Sequence, residues 1–108
     1  METKKYIQKL LSISEGYQVD RYRKKNLGKT HVPFEGTPKK HHHDDKLLIL
    51  LTDPFSSLSD FFEFSLDSIG HVEDLGTITN EKGKSTTKIR IWIKKGMPAI
   101  KSERFIVE

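Results

Sequence analysis

The sequence predicts a mainly β fold, a small antiparallel barrel or strongly bent sheet of five to six strands with one N-terminal helix. Three observations carry this. Leu47-Leu48-Ile49-Leu50-Leu51 is a continuous aliphatic run of strand length, as a central strand buried on both faces requires. Thr86–Lys95 alternates strictly, with Ile89, Ile91 and Ile93 on one side and Arg90, Trp92 and Lys94 on the other. Short apolar segments in the second half are separated by turn residues at the spacing of antiparallel structure.

Taken in order, residues 3–14 read as an amphipathic helix, with Tyr6, Ile7, Leu10 and Leu11 sharing one face and Gly16 placed to stop it. A helix this short is marginal alone and must dock on the sheet or on a second subunit. Tyr17 to Tyr22 reads as a first strand. Residues 23–45 read as a long polar loop, because Gly28, Pro33, Gly36 and Pro38 are loop signals, with a short strand allowed at Thr30–Phe34. Residues 46–108 read as the β core. Asp53-Pro54 ends the aliphatic strand, because proline cannot donate to a ladder. Phe62, Phe64 and Leu66 alternate with Glu63 and Ser65. His71–Thr79 is a weaker strand, Asn80-Glu81-Lys82-Gly83 a hairpin connection, and Ala99–Val107 a single closing strand. The division is thus one domain over 1–108, with a helix at 1–16, a loop at 23–45 and a β core at 46–108.

Size and composition restrict the chemistry. A chain of 108 residues with 34% hydrophobic and 31% charged residues suits a small sheet with one wet face better than a large α/β enzyme. The absence of cysteine excludes disulfides, thiolate catalysis and cysteine-based metal sites, and fits a cytoplasmic setting. No apolar run approaches the roughly 20 residues that span a bilayer, so no membrane partner is expected, and the N-terminus does not read as a signal peptide. Charge is unevenly spread. Residues 1–40 hold ten Lys/Arg against four Asp/Glu, whereas residues 41–108 hold nine against eleven. A basic first third on a near-neutral body suggests an anionic ligand or partner, nucleic acid included. A basic face kept only for solubility would have the same composition.

Four places could carry chemistry. The basic residues Arg21, Arg23, Lys24, Lys25 and Lys29, with Lys39 and Lys40, are the candidate anion-binding set. Gly28-Lys29-Thr30 is not a P-loop, because Arg23 stands where that motif needs its first glycine. The run His41-His42-His43-Asp44-Asp45 concentrates metal-ligand residue types. If extended, it sets His41, His43 and Asp45 on one side, neighbours roughly 7 Å apart, a candidate site for zinc or another divalent metal, with His31 or His71 as a further ligand. Adventitious metal capture by a polar loop is the alternative. Asp44, Asp45, Asp53 and Asp60 bracket the aliphatic strand, with Glu63 in the next one, but Asp45 and Asp53 lie at its opposite ends, about 25 Å apart if it is extended, which counsels against one catalytic metal. Trp92 between Arg90 and Lys94 is a candidate stacking platform for single-stranded nucleic acid, or a surface covered by a helix or second subunit.

The order Thr30-His31-Val32, Phe34, Gly36, Pro38 to His41, Asp53-Pro54-Phe55, Phe62-Glu63-Phe64, Val72-Glu73 and Arg90-Ile91-Trp92 resembles a set of short bacterial single-domain proteins without an assigned activity, over most of residues 30–108. Some of them bear an inorganic-pyrophosphatase label. The resemblance implies a bacterial, cytosolic protein. That enzyme's D-x-D-P-x-D pattern is absent, since Thr52-Asp53-Pro54-Phe55-Ser56 keeps only Asp-Pro. The leading expectation is therefore a non-enzymatic β-barrel module that binds an anionic ligand or partner, with no resident cofactor. The alternatives are a metal-assisted phosphoryl or pyrophosphate hydrolase around His41–Asp45, and an oligomer-interface protein.

Overall fold

Five consecutive aliphatic residues have to be shielded on both faces, and the chain does so by placing them at the centre of a sheet. The computed structural model describes residues 2–13, 27–56 and 60–108. They form α1 (Glu2–Ile13), a one-turn α2 (Leu27–Thr30), β1 (His31–Lys40), β2 (Leu47–Leu51), β3 (Phe61–Ser65), a 3-10 turn (Leu66–Ser68), β4 (Ile69–Thr79), β5 (Ser85–Lys94), β6 (Pro98–Lys101) and β7 (Glu103–Ile106). The strands make one antiparallel sheet ordered β4-β5-β1-β2-β3-β6-β7. β4 and β7 are its two edges, so the sheet is open. The barrel expectation is corrected on that point, and the strand count is seven rather than five or six.

The core is apolar and continuous. Leu48, Leu50, Phe64, Val72, Ile89, Ile91, Ile93, Ala99 and Val107 pack with Leu10 of α1, and Tyr6 and Leu11 close over them. The helical face seen in the sequence is thus the face that docks. Ile49 is 8% exposed but lies outside this cluster, on the other side of the sheet, so β2 is covered on both faces.

The largest departure from expectation is β1, a ten-residue strand through what read as a loop. Its two prolines and its glycine are tolerated because the strand changes partners midway. His31 to Gly36 pair with β5, and Thr37 to Lys40 pair with β2. Each half is laddered on one side only, so every second N–H is not needed for pairing and a proline can stand there. A strand shared in this way by two ladders is the corner at which a sheet bends.

The second departure is at the C-terminus. The expected single strand is a hairpin, β6 and β7, turning at Ser102 with φ 61°. No glycine or proline marks this turn, and serine accepts the left-handed conformation at a small cost. Gly96 N–H donates to Val107 O at 2.7 Å and Val107 N–H to Met97 O at 2.9 Å, which tie the chain end to the β5–β6 turn. The β4–β5 hairpin follows the sequence. Gly83 has φ 81°, and Asn80 Oδ1 accepts from the N–H groups of Lys82 and Lys84. The predicted strand at 17–22 and the helix stop at Gly16 lie outside the described residues.

Candidate functional site

β1 carries both candidate regions, one at each end. At its C-terminal end the strand stops at Lys40, and 41–46 turn into β2. Leu47 N–H donates to Asp44 O at 3.1 Å and Lys46 N–H to Asp44 Oδ1 at 2.9 Å. The segment is therefore not extended, and the expected alternation of His41, His43 and Asp45 on one side does not arise. The turn chemistry of Asp44 overrides it.

His41 folds back instead. Its Nδ1 accepts from the N–H of His43 at 3.1 Å and of Asp44 at 3.0 Å. Its Nε2 lies 2.9 Å from Glu63 Oε1 on β3, with both side chains 18% exposed. A nitrogen that accepts two amides carries no proton, so in the neutral ring the proton sits on Nε2, which faces the Glu63 carboxylate. Both ring nitrogens are engaged. The His43 ring is 6.2 Å from that of His41, and Asp45 Oδ1 is 3.6 Å from Lys40 Nζ. Among the described residues, no three His, Asp or Glu side chains gather to hold a metal ion. The sequence placed Glu63 among the carboxylates around the aliphatic strand but did not join it to His41; across the sheet it shares a row with Lys39 and Ile49.

Asp45 also lies close enough to α1 to act on Tyr6. Burial, and then the Asp45 charge, push the Tyr6 phenol up to about 12. Asp53 and Asp60 belong to the β2–β3 connection, where Ser56 N–H donates to Asp53 O and Thr52 N–H to Asp60 O.

At the other end of β1, α2 and β5 meet. Lys95 N–H donates to Thr30 O at 3.0 Å, and His31 pairs with Lys94. Lys29, Lys94 and Lys95 are all exposed. His31 is buried, its Nδ1 2.7 Å from Thr30 Oγ1 and its ring against Gly70, where a β-carbon would collide with it. Burial, then Lys94 and His71, lower its pKa. Arg21, Arg23, Lys24 and Lys25 lie outside the described residues; Asn26, Leu27 and Gly28 separate them from Lys29 in the chain. Lys39 and Lys40 do not join this end, because the ten residues of β1 carry them about 30 Å away.

Trp92 lies on the face opposite the isoleucines, as expected, and is half-buried. Its Nε1 donates to Glu73 Oε1 at 2.6 Å. The neighbouring cations are engaged. Arg90 donates through Nε and Nη2 to Glu35 Oε2, its Nη1 is 3.6 Å from Glu73 Oε2, and Lys94 Nζ donates to Asp67 O. The Arg90 guanidinium holds the Glu35 carboxyl below its ordinary range. This is a bonded polar surface, not a bare aromatic platform.

No helix among the described residues is long and apolar enough to cross a membrane. No protein-family model, curated protein or solved structure matches this chain.

Proposed function

We propose that this protein is a non-enzymatic β module that binds an anionic ligand through the end of the sheet where α2 meets β5. The observation that supports the reading is that the segments bearing Lys29 and Lys95 meet at this end of the sheet, with Lys29, Lys94 and Lys95 exposed and Arg21, Arg23, Lys24 and Lys25 a few residues before Lys29 in the chain. Lys29 and Lys95 belong to segments held together by a backbone hydrogen bond. Long cationic side chains there can meet phosphate or carboxylate oxygens without first being buried. The described His, Asp and Glu residues supply no convergent metal ligands, which leaves the hydrolase reading without support in the geometry.

The test is titration of the full chain with pyrophosphate and with a short single-stranded oligonucleotide at several salt concentrations. Binding through this end requires affinity to fall steeply with salt. Replacing Lys29, Lys94 and Lys95 with glutamine should weaken binding and flatten the salt dependence. Replacing Lys39 and Lys40 should do neither. Salt-independent binding, or equal sensitivity to the two sets, removes the reading.

Assembly is a second reading. Phe61, Ile100 and Ile106 are exposed large apolar residues on one face of β3, β6 and β7, next to the β7 edge. Sedimentation that stays monomeric at high concentration would remove it.

A further inference from the structure

We infer that β3, β6 and β7 present a homodimer interface on the face turned away from the core, with the second copy related by a twofold axis that runs along β6 over Ile100. The inference rests on the assembly reading and names its partner and its contacts. The face follows from register. Phe64 and Ala99 pair across β3 and β6 and belong to the core. Their neighbours Glu63 and Ile100, also paired, therefore point outward, because successive residues of a strand alternate. Ile100 pairs in turn with Arg104, so Glu63, Ile100 and Arg104 form one outward row. Phe61 stands two residues before Glu63, and Ile106 two residues after Arg104, on the same face. Phe61, Ile100 and Ile106 are 44%, 40% and 51% exposed. A cluster of half-exposed apolar side chains beside an edge strand is a surface that a partner covers.

The row is complementary to itself. Glu63 and Arg104 carry opposite charges and flank Ile100 by one strand each, a spacing of about 4.8 Å. Turning a second copy over about the β6 direction exchanges β3 with β7. Glu63 of each copy then faces Arg104 of the other, and Ile100 faces Ile100. β3 and β7 run in the same direction, since each is antiparallel to β6. The same turn therefore sets Ile106 against Ser65 and Phe61 against Ser102, a large side chain beside a small one in both cases. A twofold contact requires a patch that matches itself in this way, whereas an unrelated partner would leave the symmetry without a use. β3, β6 and β7 hold only five, four and four residues. Such a patch is smaller than the roughly 800 Å² per partner of a standard interface, so the dimer should be weak, with Kd on the order of 100 µM.

The experiment is sedimentation equilibrium of the full chain at concentrations up to about 1 mM, well above the expected Kd. The expected result is a monomer–dimer equilibrium. Arg104→Glu and Glu63→Lys each set like charges face to face and should each weaken association about tenfold or more. An equimolar mixture of the two variants restores both opposite-charge contacts, so it should regain the wild-type association. A folding defect in either variant could not be repaired by mixing. Ile100→Ser and Ile106→Ser probe the same contact without charge. Both positions are exposed, so each should weaken association about tenfold at an unchanged melting temperature, and they decide the matter if Glu63→Lys does not fold. A chain that stays monomeric at every concentration overturns this inference together with the assembly reading. A dimer that ignores Arg104→Glu, Ile100→Ser and Ile106→Ser overturns the inference alone, and so do two folded charge variants that remain monomeric when mixed.

Discussion

Gly36 in β1 lies directly beneath the backbone carbonyl of Leu51 in β2, and a β-carbon at Gly36 would collide with it. This contact stands where β1 leaves its ladder with β5 and takes up its ladder with β2. The chain can bend there because one residue has no side chain to be crushed between the two halves. What read in the sequence as a loop signal is a close approach of two backbones.

Gly36→Ala should therefore destabilise the fold by about 1–3 kcal/mol, as overpacking does. Urea unfolding should show a lower midpoint with an unchanged slope. An unshifted midpoint would mean that the corner can open to accept a methyl group.

The two faces of β2 should differ in their sensitivity to truncation. Leu50 is fully buried in the main cluster, so Leu50→Ala should cost about 2–5 kcal/mol. Ile49 is covered on the opposite face, outside that cluster and between Lys39 and Glu63 in its row. Ile49→Ala should cost less, because the surrounding polar side chains can settle over the gap. Denaturation of the two variants side by side measures the order, and a larger loss at Ile49 would contradict it.

The parts of the fold that were legible are those in which local pattern and tertiary need coincide. The Leu47–Leu51 run, the isoleucine alternation of β5 and the Asn80–Gly83 hairpin each carry their own reason within a few residues. β1 was not legible, because Pro33, Gly36 and Pro38 are acceptable only once the change of partner is known, and that is a property of three strands. The β6–β7 turn was missed because Ser102 adopts a conformation for which sequence offers glycine as the signal. At the candidate site the sequence named the histidine run and Glu63 separately, and only the turn after β1 brings His41 within 2.9 Å of Glu63.

Zinc provides a direct check on the histidine run. His41 has both ring nitrogens in use, and no third ligand joins it and His43 among the described residues. A stoichiometric amount of Zn2+ should leave the melting temperature unchanged, since only a ligand that prefers the native state raises it. His41→Ala should lower stability by about 1 kcal/mol through loss of the amide acceptor, whereas His42→Ala and His43→Ala should be close to neutral. A zinc-dependent rise that disappears in His41→Ala and His43→Ala would instead establish a built site.

Acid should loosen the opposite end of β1 before it reaches the carboxylates. Burial, Lys94 and His71 lower the His31 pKa below the ordinary 6.5, so the folded state resists the proton that the unfolded chain accepts. The stability that His31 contributes is fully present above pH 6.5 and is lost as pH falls from there through the folded-state value. Glu35 acts in the same direction at lower pH. Arg90 holds its carboxyl below the ordinary 4.5, and that contribution persists until pH falls through 4.5 and beneath it. Urea unfolding measured in half-unit steps from pH 8 to pH 4 should therefore show a first decline beginning near pH 6.5 and a second beginning near pH 4.5. His31→Asn keeps a polar atom near Thr30 Oγ1 but cannot charge. It should start less stable at pH 7.5 and lose less between pH 6.5 and pH 5, while the decline below pH 4.5 remains. Arg90→Gln should do the reverse and flatten the lower limb alone. An upper limb of equal slope in the wild type and His31→Asn would show that the acid sensitivity of this region arises elsewhere than at His31.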